Sequence, residues 1–170
     1  MHFTDNFSQG CKACQNGKWL CIYLTYMCNA SCAFCPAPFR NRDFIQSAFG
    51  SDLRMVLKYL ERFAFEGISF SGGECFLVYD RMIAWLEFLK KQKPELYYWA
   101  YTNGINVKRE QLEGLRNSGL NELRFNMAAT GYNDPNILET ITYAKEIFEF
   151  VAVEIPSIPE DFEKLKDFPN

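Results

Sequence analysis

The sequence predicts an α/β protein, a partial (β/α) barrel of parallel strands with outer helices, built from about five strand–helix units. Three observations carry that prediction. Strand-like and helix-like segments alternate from residue 19 nearly to the end of the chain. The unusual polar and cysteine-bearing motifs all follow strands, so they gather at one rim. The chain, 170 residues with 48% apolar and 23% charged, is long enough for one domain with a real core.

The elements read as follows. "WLCIYLTYM" (19–27) is β-branched and aromatic, hence a strand. Residues 51–66 read as a helix, capped by Ser51 or Asp52, with Leu53, Val56, Leu57, Leu60, Phe63 and Ala64 as its apolar stripe and Gly67 at its exit. "GISFSG" (67–72) is a second strand, and residues 81–92 a second helix burying Met82, Ile83, Trp85, Leu86 and Leu89. "LYYWAYTNG" (96–104) is a third strand ending in a turn signal, followed by a helix over 107–118 that Gly119 stops. "NELRFNMAAT" (121–130) holds the fourth strand, and Asp134–Pro135 opens a helix running to about Phe148, because proline suits the first helical position. "FVAVEIPSIP" (150–159) is the fifth strand, with a short polar helix after it. Such alternation implies parallel strands with right-handed crossovers. Five units suit an open partial barrel better than a closed eight-unit one, and a doubly wound open sheet is the alternative. In either, ligands bind at the C-terminal ends of the strands.

Composition excludes several functions. The net charge of −3 gives no general affinity for nucleic acid. No apolar run approaches the roughly 20 residues of a membrane span, and "MHFTDNFSQG" lacks a basic-then-apolar leader pattern, so a cytoplasmic protein is expected. His2 is the only histidine, which argues against Ser–His or Cys–His hydrolysis. Seven cysteines in a reducing compartment read as metal ligands or small buried hydrophobes rather than disulfides.

The rim motifs carry the chemistry. "TYMCNASCAFCPAP" (25–38) places Cys28, Cys32 and Cys35 after the first strand, and "SGGEC" (71–75) ends the second. "TNG" (102–104), "FNMAAT" (125–130) and "EIPSIP" (154–159) end the third, fourth and fifth. Alone, the trio also suits part of a zinc site or three buried thiols. Iron–sulfur cubes usually take four thiolates, and three leave an open metal position of the kind that binds a reactant.

"CNASCAFC", with "GGE" beginning 37 residues after Cys35, resembles the radical S-adenosylmethionine (radical SAM) enzymes across about residues 19–158. The resemblance implies that Cys28, Cys32 and Cys35 hold a 4Fe–4S cluster and that S-adenosylmethionine is cleaved reductively to a 5′-deoxyadenosyl radical, which abstracts hydrogen from a substrate. Phe34 would lie against adenine. Gly72, Gly73 and Glu74 would bind the methionine amino group, the carboxylate pairing with the ammonium. Asn103, with Thr102, is a pocket residue or a turn former. Asn126 would bond ribose or carboxylate, Arg124 would meet the cofactor's carboxylate, and Glu154 and Ile155 would line the pocket. Many family members have proline after the glutamate; here it is Cys75, read as a harmless substitution. Family cores carry six units where five are counted here, so residues 19–170 read as a core domain lacking its last unit, behind an N-terminal cysteine-containing segment, 1–18.

Within "GCKACQNGKWLC", Cys11, Cys14 and Cys21 form a candidate second metal site that would need a further ligand such as Cys75 or His2; core or loop cysteines are the plainer reading. Expected partners are a flavodoxin or ferredoxin as reductant and a protein or peptide substrate, in reactions resembling glycyl-radical enzyme activation or peptide modification, with neither nucleic acid nor membrane. A non-catalytic iron–sulfur or zinc module, or an inactive fragment of a longer enzyme, is the alternative.

Overall fold

The computed structural model describes residues 7–37 and 41–166. The elements are α1 (Gln9–Gln15), β1 (Trp19–Thr25), β2 (Gln46–Ser47), α2 (Leu53–Arg62), β3 (Gly67–Gly72), α3 (Tyr79–Gln92), β4 (Tyr97–Thr102), α4 (Arg109–Asn117), β5 (Glu122–Asn126), α5 (Pro135–Ile147), β6 (Phe150–Glu154) and α6 (Phe162–Lys166), with short 3₁₀ turns between some of them. Six strands form one sheet in the order β2-β1-β3-β4-β5-β6. All neighbours pair in parallel except β1 with β2. The five parallel strands follow chain order without reversal, so the sheet has no topological switch point. That is a partial barrel, and the doubly wound alternative falls.

Alternation along the strands separates two layers. Leu20, Ile22 and Leu24 of β1, Ile68 and Phe70 of β3, Tyr98 and Ala100 of β4 and Leu123 and Phe125 of β5 are all buried under the helices. They meet Val56 and Leu60 of α2, Met82, Leu86 and Leu89 of α3, Leu112 and Leu115 of α4 and Ile137 and Ala144 of α5 in one cluster. The other face is concave and polar-aromatic. The registers set Cys21 beside Ser69, Tyr23 beside Ser71, Trp99 beside Glu122 and Tyr101 beside Arg124.

Local chemistry explains the boundaries. Asp52 accepts the Arg54 amide at 2.8 Å to start α2, and Asp134 accepts the Asn136 amide at 2.9 Å before Pro135 in α5. The helix expected over 51–66 stops at Arg62, because Phe63 turns extended and stacks with Phe49 and Tyr59. The fifth strand stops at Glu154 rather than 159, ahead of Pro156 and Pro159, which have no N–H to give a ladder. Two elements have no sequence expectation. One is the two-residue edge strand β2. The other is α1, which Ser8 caps by accepting the Cys11 amide at 3.0 Å.

Helix α1 plugs the concave face near the strands' N-terminal ends. Ala13 packs with Tyr97 and Trp99, and a Cβ on Gly10 would meet Arg124 Nη2 at 2.8 Å and Glu122 Oε2 at 2.9 Å. No helix among the described residues is long and apolar enough to cross a membrane.

Candidate functional site

A cavity of about 570 Å³ opens at the C-terminal rim. Its walls include Cys28, Cys32, Phe34 and Cys35 of the loop after β1, Gly72 at the end of β3 and Gly73 just after it, Asn103 after β4, Asn126 of β5 and Glu154 of β6. All but two of the site residues expected from the sequence therefore share one space. The exceptions are Glu74 and Arg124.

The cysteine loop is held at its base from three directions. Its two ends pair, with the Tyr26 amide on the Arg42 carbonyl at 2.9 Å and the Asn41 amide on the Tyr26 carbonyl at 3.0 Å. Arg81 donates to the Leu24 carbonyl at 2.7 Å and to Asp43 at 2.6 Å, and Thr25 Oγ1 donates to Asp43 at 2.9 Å. The third anchor is the "GGE" strap. The Gly73 amide donates to the Thr25 carbonyl and the Glu74 amide to the Met27 carbonyl, both at 2.8 Å. Gly72 has φ of +132°, and a Cβ there would sit 2.1 Å from the Thr25 carbonyl oxygen. A Cβ on Gly73 would sit 2.0 Å from that of Met27. The glycines thus serve the approach of the loop's own backbone as well as lining the cavity.

Glu74 differs from the expected ammonium partner. Its side chain is fully buried and turned away from the cavity. The carboxylate accepts the Phe76 amide at 3.1 Å, Thr102 Oγ1 at 2.8 Å and the Asn103 amide at 2.7 Å. Burial pushes its pKa above the ordinary carboxylate value, against the pull of these donors. The residue clamps the end of β4 to the strap.

Arg124 also departs from expectation. Period-two alternation sets it on the same face as Asn126, and its guanidinium is engaged by protein groups on the concave face. It bonds Glu122 Oε1 at 2.5 Å, Glu154 Oε1 at 2.7 Å and Tyr101 Oη at 3.2 Å, and reaches Ser8 Oγ at 3.4 Å and Cys11 Sγ at 3.5 Å. It lies over the Trp99 and Tyr101 rings. Burial works against its charge, and Tyr101, Glu122 and Glu154 more than offset that, so its pKa is raised. Its donors are spent on protein partners.

Asn126 is the opposite case. It lines the cavity, and its Oδ1 is buried without a hydrogen-bond partner. A buried acceptor left unmet is costly, and a ligand N–H or O–H in the cavity would satisfy it. Together with three thiols on one wall, that orphan fits the cofactor pair the resemblance implies.

Of the other cysteines, Cys75 is buried and donates to the Ser71 carbonyl at 3.3 Å, its pKa pushed well up by burial first. It is a small core residue. Cys21 lies on the cavity wall, and burial pushes its thiol up to about 11 against hydrogen bonds with Ser69 and Ser71. Cys14 is exposed, and Cys11 packs by Arg124. The structure does not gather Cys11, Cys14 and Cys21: among the described residues no three His, Cys, Asp or Glu side chains form a group that could hold an ion. That also holds for Cys28, Cys32 and Cys35, whose thiols on a cube would be bound to different irons rather than converge on one ion. His2, proposed as an extra ligand, lies outside the described residues. Trp19, Tyr23 and Tyr101, which the sequence reading assigns to strands and not to the site, also line the cavity. Their inward phase on the strands is the signal that could have found them.

Comparison with known proteins agrees with this geometry. A protein of Methanocaldococcus jannaschii named as a glycyl-radical enzyme activating enzyme is 28% identical over 91% of this chain and 44% of its own length. The chain therefore spans less than half of that relative. Among solved structures, Streptococcus suis SuiB bound to its precursor peptide SuiA superposes with a TM-score of 0.65 at 16% identity, over 99% of this chain and 44% of SuiB. Methylornithine synthase (PylB) gives 0.63 at 18% identity, over 81% of this chain and 44% of its own. These likenesses show the fold. A family model, that of the Radical SAM superfamily, matches residues 22–168. With nearly the whole barrel inside that match, the chain belongs to the radical SAM superfamily, in which a 4Fe–4S cluster and cleavage of S-adenosylmethionine are general properties.

Proposed function

We propose that this chain is the catalytic core of a radical SAM enzyme acting on a protein or peptide, in the manner of an activating or peptide-modifying enzyme. The observation that carries the reading is a rim cavity that unites three cysteines with the orphaned acceptor of Asn126. Cys28, Cys32 and Cys35 would hold a 4Fe–4S cluster, which supplies the electron for reductive cleavage of S-adenosylmethionine. Phe34 offers a ring face for adenine on the cavity wall. Gly72 and Gly73 leave backbone bare of side chain beside the cysteines, where an amino group can approach. Asn126 Oδ1 accepts a hydrogen bond from the bound cofactor. Trp19, Tyr23 and Tyr101 present apolar surface that keeps water from the reacting hydrogen. The macromolecular substrate is supported by the M. jannaschii relative's name. A flavodoxin or ferredoxin is the expected reductant, and the cytoplasm the expected compartment.

The test is anaerobic reconstitution with iron and sulfide, then dithionite and S-adenosylmethionine, with 5′-deoxyadenosine followed by chromatography. The wild-type chain is expected to release it and Cys32→Ala to release none. Zinc uptake without cluster assembly would overturn the reading; a cluster without cleavage would favour a non-catalytic module or a piece of a longer enzyme. Asn126→Ala is expected to raise the KM for S-adenosylmethionine about fivefold to tenfold, the worth of one hydrogen bond of about 1–1.4 kcal/mol. An unchanged KM would remove Asn126 from the binding site.

A further inference from the structure

Cys28 Sγ receives two N–H groups. One is local, the Ala30 amide at 3.4 Å. The other comes from a different strand end: Asn103 Nδ2 stands 3.7 Å from the sulfur and 2.8 Å from Asn29 Oδ1. The Asn103 side chain is held at both of its polar ends. Its Oδ1 accepts the Ile105 amide at 2.9 Å, and its own backbone N–H is fixed on Glu74 at 2.7 Å. Flipping the side-chain amide would set oxygen against the oxygen of Asn29 and N–H against the N–H of Ile105. Its partners therefore choose the orientation that directs a donor at the sulfur. Behind it, buried Glu74 also binds Thr102 Oγ1 at 2.8 Å. Asn29 Nδ2 returns to the Ile105 carbonyl at 3.2 Å, so the cysteine loop and the β4 turn are cross-tied twice.

We infer that Asn103 is a positioning residue for the cysteine site: its N–H···S contact orients Cys28 and raises the reduction potential of an iron–sulfur cluster held there. The inference rests on the cluster reading given above. Reduction adds an electron to the cluster and its thiolates. A donor dipole aimed at a ligand sulfur stabilises that added charge, so it favours the reduced form. A residue serving the turn alone would leave the potential unchanged.

Wild-type, Asn103→Asp and Asn103→Ala chains are reconstituted anaerobically, with iron and sulfide counted. The midpoint is then titrated without S-adenosylmethionine and followed by electron paramagnetic resonance. Asn103→Asp keeps the Oδ1 acceptor for Ile105 and removes the donor, but its added charge beside the sulfur lowers a midpoint by itself, so the uncharged Asn103→Ala decides whether the lost donor is the cause. Both variants are expected to carry a full cluster with a lower midpoint. The shift is about tenfold in the reduced-to-oxidised ratio at fixed potential, or about 59 mV for a one-electron couple. Asn103→Ala with a full cluster and the wild-type midpoint overturns the inference. So does loss of the fold in Asn103→Asp by circular dichroism, which would make the residue a turn former only. Failure of the wild-type chain to assemble a cluster refutes the reading of the trio itself, and the role of Asn103 falls with it.

Discussion

Arg124→Leu is expected to destabilise the fold by about 3–5 kcal/mol, because it strands the carboxylate of Glu122 in the interior. The Glu122 side chain is 0% exposed and its ion pair with Arg124 is the buried one, whereas Glu154 on the other arm is 47% exposed. The exposed arm is screened by solvent and adds little. The Trp99 and Tyr101 faces lose their cation as well, which adds to the loss in the same direction. Chemical unfolding monitored by circular dichroism reads the loss as a lower midpoint at unchanged slope. Removing both charges, Arg124→Leu with Glu122→Leu, is expected to recover most of it, because a buried pair replaced by apolar groups is often near neutral. A single-variant loss below about 1 kcal/mol would show that the carboxylate does not need its cation. The same substitution frees Ser8 and Cys11, so α1 is expected to become open to proteolysis while the sheet persists.

Gly73→Ala is expected to displace the cysteine loop and abolish cluster assembly. The new methyl would lie 2.0 Å from the Met27 carbonyl oxygen, and the obstacle is backbone, which cannot rotate aside as a side chain can. Strand β3 and the loop must separate. The two strap bonds at 2.8 Å then weaken together. Overpacking of this kind costs about 1–3 kcal/mol, and each hydrogen bond lost adds about 1 kcal/mol. The direct readouts are iron and sulfide per chain after reconstitution and the thermal midpoint, both expected to fall. Gly72→Ala adds the strain of a positive φ to a contact of 2.1 Å and is expected to be at least as damaging. A Gly73→Ala chain that assembles its cluster as the wild type does would show that the strap is not what holds the loop.

The strand–helix units were legible because each helix shows its apolar stripe and each strand its β-branched or aromatic run. The barrel, as against a doubly wound sheet, was favoured but not separated, since strand order is not written in periodicity. The rim of the motifs was legible all the same, because parallel strands bring their C-terminal ends to one side in either fold. Helix α1 was missed because its seven residues, "QGCKACQ", carry no apolar stripe; Gly10 and Ala13 are small because Trp99 and Arg124 stand against them. Glu74 and Arg124 were given cofactor roles because a charge beside a predicted pocket looks available.

By itself the sequence determined the family, the cysteine trio and the rim on which the motifs fall, since spacing along the chain and strand alternation are local properties. Tertiary structure alone decided which polar groups remain free for a ligand. Glu74 and Arg124 are saturated by partners up to 116 residues away, while Asn126 Oδ1 is left unmet. A hydrogen bond depends on where its partner lies in space, and that is settled only when the strands have been brought side by side.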